Sequence, residues 1–297
     1  MDRRDTLKLI GGSAAFALTG PALAMPRNPA TFGNPAFAAA IARAEQRTGG
    51  RLGVAILDLA TGARFAHRGD ERFPMCSTFK FLLSAAVLHA ADKGRLRLDR
   101  AVAIPRGPLP ANSPAVKPMA GRTMSVAALC RATVTQSDNA AANLLLPLIG
   151  GVDGYNAFAR LLGDRVTRLD RIEPELNTAV HGDARDTTSP DAMLDSMNAA
   201  LFGPVLTPRS RAQATAWLVA NTTGGARLRA GLPRTWRVGD KTGTGENGSA
   251  NDIGVLWPTP DRRPILVTSY LTAAKVDQKH QYAAHAEVAR AIAAAVG

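Results

Sequence analysis

Four short segments of this chain carry residue types and spacings that could do chemistry. In Ser77-Thr78-Phe79-Lys80 a hydroxyl precedes a lysine by three positions. Positions i and i+3 of a helix share a face, so Lys80 Nζ can approach Ser77 Oγ. A serine hydroxyl is a weak nucleophile, and a nearby lysine or other base activates it. At the start of a helix, the dipole would also favour developing negative charge. An ordinary surface helix accommodates the same four residues. In Ser137-Asp138-Asn139 a second hydroxyl stands beside a carboxylate and an amide. That tripeptide serves equally as an N-cap, with Ser137 or Asp138 starting a helix through Leu146.

The third segment, Lys241-Thr242-Gly243-Thr244-Gly245, ends a strand-like run. Its glycines permit close approach of another backbone. The Lys241 charge and the Thr242 hydroxyl suit a carboxylate, although a charged edge strand running into a turn reads the same way. The fourth is Glu173-Pro174-Glu175-Leu176-Asn177, between Arg171 and Asp186. Its lack of apolar periodicity predicts a loop, and long polar loops in compact domains are often functional. Arg171 and Asp186 could close its neck as an ion pair, while Glu173 and Asn177 could hold one water. A solvated loop is the plainer alternative.

The elements that must position these groups are readable from periodicity. An Ala-rich helix is expected at 34–48, a strand at Arg51–Leu59, and its hairpin partner at Arg64–His67. Helical spacing dominates from 77 to about 220: Phe79, Leu82, Leu83, Ala86 and Val87 share one face, and Ala140, Asn143, Leu144 and Leu148 another. Gly94 and Gly150-Gly151 are candidate stops. Strands return at Trp236–Thr244, Asp252–Trp257 and Ile265–Thr272, before a helical tail over 277–296. Strands at both ends around a helical middle predict an α+β fold. Its mostly antiparallel five-stranded sheet would come from 25–73 and 225–297 and be flanked by helices. An all-helical domain, 74–224, would be inserted and would carry the 171–186 loop.

Composition narrows the function. The 297 residues are 46% hydrophobic and 20% charged, as in a globular protein. Two cysteines and five histidines show no metal-ligand spacing, so no metal is expected, and a serine nucleophile with a loop water calls for no organic cofactor. The net charge of +12 is spread without basic runs, which argues against nucleic-acid binding. Residues 1–24 read as a signal peptide: Arg3-Arg4, an apolar stretch Leu9–Leu18 and Ala22-Leu23-Ala24. The arginine pair suits a twin-arginine signal, which exports folded proteins, or occurs by chance in a plain signal. The apolar stretch is too short to span a bilayer. A periplasmic or secreted monomer is expected.

In order and spacing, the four segments together resemble the class A serine β-lactamases, over essentially the whole chain after residue 24. The resemblance implies hydrolysis of the β-lactam amide of penicillins and cephalosporins through a serine acyl-enzyme. Ser77 would be the nucleophile, and the N–H groups of Ser77 and Thr244 the oxyanion hole. Glu173 with Asn177 would position the deacylating water, and either Lys80 or Glu173 would take the Ser77 proton. Ser137 would relay a proton to the leaving nitrogen, and Asn139 would bind the antibiotic's side-chain amide. Lys241, Thr242, Gly243 and Thr244 would line the ring-carboxylate site, with Arg227 in support. A solvated Arg227 is the alternative. A penicillin-binding D,D-peptidase and a non-catalytic β-lactam sensor are the rival functions, but the first lacks the Glu173–Asn177 chemistry and the second usually carries a membrane span.

The chain also departs from that pattern. Asn112 stands before Ser113-Pro114, where many relatives carry an aromatic at the site entrance. Some relatives bridge the Cys76 position to one held here by Gly245, and others the Cys130 position to one held here by Ser84, so each cysteine lacks its family partner. Two free thiols follow, despite an oxidising destination. Alkylation of the unfolded, unreduced protein should add two groups per chain by intact mass. One or none would mean a bridge or another modification.

Overall fold

The structure is a computed structural model that describes residues 32–296; the expected signal peptide, 1–24, lies outside the described residues. The chain runs α1 (Pro35–Thr48), β1 (Arg51–Asp58), β2 (Arg64–His67), β3 (Phe73–Pro74), α2 (Phe79–Asp92), β4 (Ala101–Ala103), β5 (Thr123–Ser125), α3 (Val126–Thr135), α4 (Asn139–Leu145) and α5 (Gly151–Leu161). There follow β6 (Thr187–Thr188), α6 (Pro190–Leu201), α7 (Pro208–Val219), α8 (Leu228–Gly231), β7 (Arg237–Gly245), β8 (Ser249–Trp257), β9 (Ile265–Thr272) and α9 (Gln278–Val296). One sheet has five strands in the order β2-β1-β9-β8-β7, and every neighbouring pair is antiparallel. Both ends of the chain supply it, in the α+β arrangement expected. Two small pairs, β3–β6 and β4–β5, were not anticipated, because two or three residues leave no periodicity to read.

The sheet is covered on both faces. Leu52, Val54 and Ile56 of β1 face a core with Phe37 and Ile41 of α1 and Val288 and Ile292 of α9. Ala55 and Leu57 face the other way, into a core with Met193, Met197 and Leu201 of α6. Successive strand residues alternate faces, so a strand covered twice reads as a nearly unbroken apolar run. β9 is buried at every position for the same reason.

Helix starts follow local chemistry. The side chains of Asn34, Ser125, Asp138, Ser189 and Thr207 each accept a backbone N–H from the first turn of the helix they precede. Proline then occupies the first position of α1, α6 and α7. Asp138, rather than Ser137, caps α4; that helix stops at Leu145 and tightens into a 3-10 turn over Leu146–Ile149. α2 is buried continuously from Phe79 to Leu88, as expected of a helix enclosed on all sides. Each such Leu or Phe contributes about 1.5–3 kcal/mol by leaving water. Among the described residues, no helix is long and apolar enough to cross a membrane.

His285 on α9 is fully buried. Its Nε2 lies 3.0 Å from the Ala250 carbonyl, which can only accept, and its Nδ1 lies 2.7 Å from Ser269 Oγ. The ring is therefore held neutral with the hydrogen on Nε2. Burial, reinforced by the Arg227 charge, pushes its pKa down to about 3. In the unfolded chain the ring takes a proton below about pH 6.5. Between those values the unfolded state binds the extra proton, so folding stability falls as pH drops from about 6.5 towards 3. Denaturant unfolding of His285→Gln between pH 4 and 6 should show a slope shallower by about 1.4 kcal/mol per pH unit. An unchanged slope would mean that the ring is protonated in the folded protein.

Candidate active site

Ser77 sits in a 3-10 turn, Cys76–Thr78, that runs directly into α2. The turn is forced: Cys76 has φ +44°, a left-handed backbone that non-glycine residues rarely adopt. Asn251 of β8 holds the chain leading into it, donating from Nδ2 to the carbonyls of Pro74 (2.8 Å) and Met75 (3.0 Å). One turn along α2, Lys80 Nζ lies 2.9 Å from Ser77 Oγ. The lysine side chain is fully buried. Its ammonium lies 2.8 Å from the Ser137 carbonyl, 2.5 Å from Asn139 Oδ1 and 2.8 Å from Glu173 Oε1. Burial pushes the Lys80 pKa down, and the Glu173 carboxylate opposes that shift. Ser77 Oγ is also 3.3 Å from Glu173 Oε1, so Glu173, or Lys80 in its neutral form, can receive its proton.

Ser137 precedes the α4 cap with φ +57°. Its hydroxyl lies between two lysines, 3.4 Å from Lys80 Nζ and 3.0 Å from Lys241 Nζ. Asp138 binds the N–H of Ala141 through Oδ1 and those of Ala115 and Val116 through Oδ2, so it fastens the 111–116 loop to α4. Asn139 accepts from Lys80 at Oδ1 and donates from Nδ2 to the Ala111 carbonyl (2.9 Å). Asn112 has φ +55° and donates to the Ser137 carbonyl (3.1 Å). Where an aromatic was missed in the sequence, the amide thus braces the Ser137 turn.

The Glu173 loop is tied at its neck and its centre. Arg171 Nε meets Asp186 Oδ2 at 2.5 Å, as the spacing suggested, while Asp186 Oδ1 accepts the N–H groups of Asp170 and Arg171. The Glu173–Pro174 peptide is cis. Asn143 of α4 holds the backbone of Glu173 at both ends, accepting its N–H at 3.0 Å and donating to its carbonyl at 2.7 Å. Sequence periodicity had counted Asn143 among the residues of a helical face; its chemistry, not its period, was the signal. Asn177 stands in a short 3-10 turn, Glu175–Asn177, and its Nδ2 binds Glu173 Oε2 directly at 2.5 Å. Asn177 Oδ1 is buried with no hydrogen-bond donor among the described residues.

β7 forms the opposite wall as an edge strand. A Cβ on Gly243 would lie 2.8 Å from the Met75 carbonyl and 3.2 Å from Ser77 N, so glycine lets the strand lie against the serine turn. A Cβ on Gly245 would lie 2.6 Å from Cys76 Sγ and 2.7 Å from the Asn177 carbonyl. Lys241 is fully buried, with Nζ on Ser137 Oγ and the Thr242 carbonyl. Burial drives its pKa well down, and Lys80 and Arg227 add to the effect. Arg227 is buried rather than solvated. It stacks 4.0 Å above the Tyr282 ring and donates to Thr244 Oγ1 (2.6 Å) and to the Gly243 and Asn251 carbonyls. Cys76 and Cys130 are buried and unbridged, and burial pushes the Cys76 thiol up to about 12.

The four sequence segments therefore converge: Ser77, Lys80, Ser137, Asn139 and Glu173 meet around one ammonium, and Lys241 joins through Ser137. Asn143 and Asn251 escaped sequence reading as site residues, because each works by contacting a distant segment. A hydroxyl bonded to a buried lysine, with a buried carboxylate beside it, is the machinery of a serine hydrolase that works through an acyl-enzyme. The chain belongs to the β-lactamase enzyme family, whose model matches residues 36–296, and within it to class A. It is 43% identical to β-lactamase L2 of Stenotrophomonas maltophilia, over 97% of each chain. It is 45% identical to β-lactamase Toho-1 of Escherichia coli, over 77% of this chain and 78% of the relative. Among solved structures, the class A β-lactamase of the last common ancestor of Gram-negative bacteria superposes with a TM-score of 0.86 at 57% identity, covering 88% of this chain and 100% of the other. The class A enzyme PenP of Rhodopseudomonas palustris gives 0.85 at 54%, covering 88% and 99%.

Because Asn143 supplies two buried hydrogen bonds to the Glu173 backbone, Asn143→Ala should lower unfolding free energy by about 2 kcal/mol, measured with denaturant. No loss would show that the loop is held by its neck alone.

Proposed function

We propose that the protein hydrolyses the amide of penicillins and cephalosporins through an acyl-enzyme on Ser77, and so confers resistance to them. The observation that carries this reading is the buried group of Ser77 Oγ, Lys80 Nζ and Glu173 Oε1, each within 3.3 Å of the other two. Ser77 Oγ attacks the strained carbonyl, and its proton passes to Lys80 or Glu173. The negative oxygen that forms is received by the N–H groups of Ser77 and Thr244, which the close approach at Gly243 brings towards each other. Ser137, bonded to both lysines, passes a proton to the leaving nitrogen.

Deacylation then needs a water and a base. Glu173 Oε1 is the base, and the unpaired Asn177 Oδ1 accepts a hydrogen from the water. The Arg171–Asp186 pair and Asn143 keep the carboxylate in place. Lys241, Thr242, Gly243 and Thr244 receive the ring carboxylate, with Arg227 supporting Thr244 from behind. Asn139 offers its remaining Nδ2 hydrogen to the antibiotic's side-chain amide. Functionally, the sheet formed by 25–73 and 225–297 carries the carboxylate wall, and the helical part 74–224 carries the serine, the lysine and the deacylating loop. Residues 1–24 direct export, and the mature protein acts outside the cytoplasm as a monomer.

Incubation with a penicillin, followed by absorbance and intact mass together, tests the reading. Unmodified protein should turn over repeatedly. Glu173→Ala should accumulate one equivalent of adduct on Ser77, and Ser77→Ala should form none. A lasting adduct on the unmodified protein would instead identify a penicillin-binding D,D-peptidase or a sensor.

A further inference from the structure

Two hydroxyls on β7 face the same side, Thr242 and Thr244, because alternate strand residues share a face. Their hydrogens are committed in opposite directions. Thr244 Oγ1 accepts a hydrogen from Arg227 Nη2 at 2.6 Å, and so keeps its own hydrogen to donate. Thr242 Oγ1 lies 2.5 Å from Thr223 Oγ1, in the segment after α7. Which of those two donates follows from what Thr223 touches next.

Asn221 decides it. The backbone N–H of Thr223 lies 3.1 Å from Asn221 Oδ1, and an N–H can only donate, so the oxygen of the amide faces Thr223. At the other end, Asn221 Nδ2 lies 3.0 Å from Asp240 Oδ2, which accepts. Asp240 is fully buried, and its other oxygen takes Arg229 Nε at 2.6 Å. The Thr223 hydroxyl is 2.9 Å from Asn221 Oδ1 and must donate to it, since a carbonyl oxygen has no hydrogen to give. A hydroxyl carries only one hydrogen. Thr223 Oγ1 therefore accepts from Thr242, and the Thr242 hydrogen points towards Thr223.

We propose that Thr223 sets how tightly the site takes the substrate carboxylate, by competing with it for the hydroxyl hydrogen of Thr242. This rests on the reading of β7 as the carboxylate wall of a β-lactam site. A carboxylate only accepts, so Thr244 can donate to it at once. Thr242 can do so only after giving up its bond to Thr223. Binding thus sacrifices one neutral intramolecular hydrogen bond, whose net worth corresponds to about a two- to tenfold change in affinity. Thr223 never touches the reacting atoms; it is a positioning residue that acts through Thr242.

Steady-state hydrolysis of benzylpenicillin tests the competition. Thr223→Val keeps the side-chain shape and removes the rival acceptor, so KM should fall two- to tenfold with kcat changed less than twofold. Thr223→Ser restores the hydroxyl and should restore KM. Thr242→Val alone should raise KM, and adding Thr223→Val to it should change nothing further. If Thr223→Val does not fold, as read by thermal melting, Thr223→Ala removes the same acceptor and is judged by the same criterion. A KM that stays level or rises when the hydroxyl is removed overturns the inference while leaving the functional reading intact. Absence of turnover by the unmodified protein removes the functional reading itself.

Discussion

The buried ammonium of Lys80 is the constraint on which the rest of the site depends. A charge taken out of water costs several kcal/mol unless paired and hydrogen-bonded. No single neighbouring segment could satisfy it. Ser77 supplies a hydroxyl from the preceding turn, Ser137 and Asn139 supply oxygens from the start of α4, and Glu173 supplies a carboxylate from the loop. The need to surround one cation therefore fixes the relative positions of three stretches that are far apart in sequence. The same need holds a serine hydroxyl against a base in the resting protein.

A second cation raises the stakes. Lys241 is also buried, and Ser137 Oγ lies 3.0 Å from its Nζ and 3.4 Å from that of Lys80. Arg227 adds a third charge behind β7. Close like charges repel, and both lysines are pushed towards the neutral form by burial. An anion arriving at this wall pairs with the Arg227 charge and favours the protonated form of both lysines. The Asp240 carboxylate, bound by Arg229 and Asn221, balances part of the charge from behind. Beside it Asp252 is fully buried, and burial next to another carboxylate pushes its pKa well up.

Three of the eight positive-φ non-glycine residues among the described residues lie where these groups converge. Cys76, Asn112 and Ser137 all have positive φ. Each such residue costs of order 1–3 kcal/mol and persists only where its surroundings over-determine it. Here Asn251 restrains the chain before Cys76, while Asn112 and Lys80 share the Ser137 carbonyl. The amides that do this work are single residues in unremarkable stretches, which is why no local pattern announces them. Thr223 is a similar case: its part emerges only when the donors and acceptors around Asn221 are counted.

By itself, the sequence determined the elements and the chemistry they carry. Alternating and helical apolar patterns located the strands of the main sheet and the helical middle, because these signals act within a few residues. The Ser77–Lys80 spacing was legible for the same reason, since one helical turn brings the two together. Tertiary structure alone decided which distant groups satisfy one another. Burial of Lys80 chose its acceptors, close approach of β7 required Gly243 and Gly245, and the packing of α9 against β8 buried Arg227 under Tyr282. Those outcomes depend on desolvation and on contacts between segments far apart along the chain, and no local spacing encodes them.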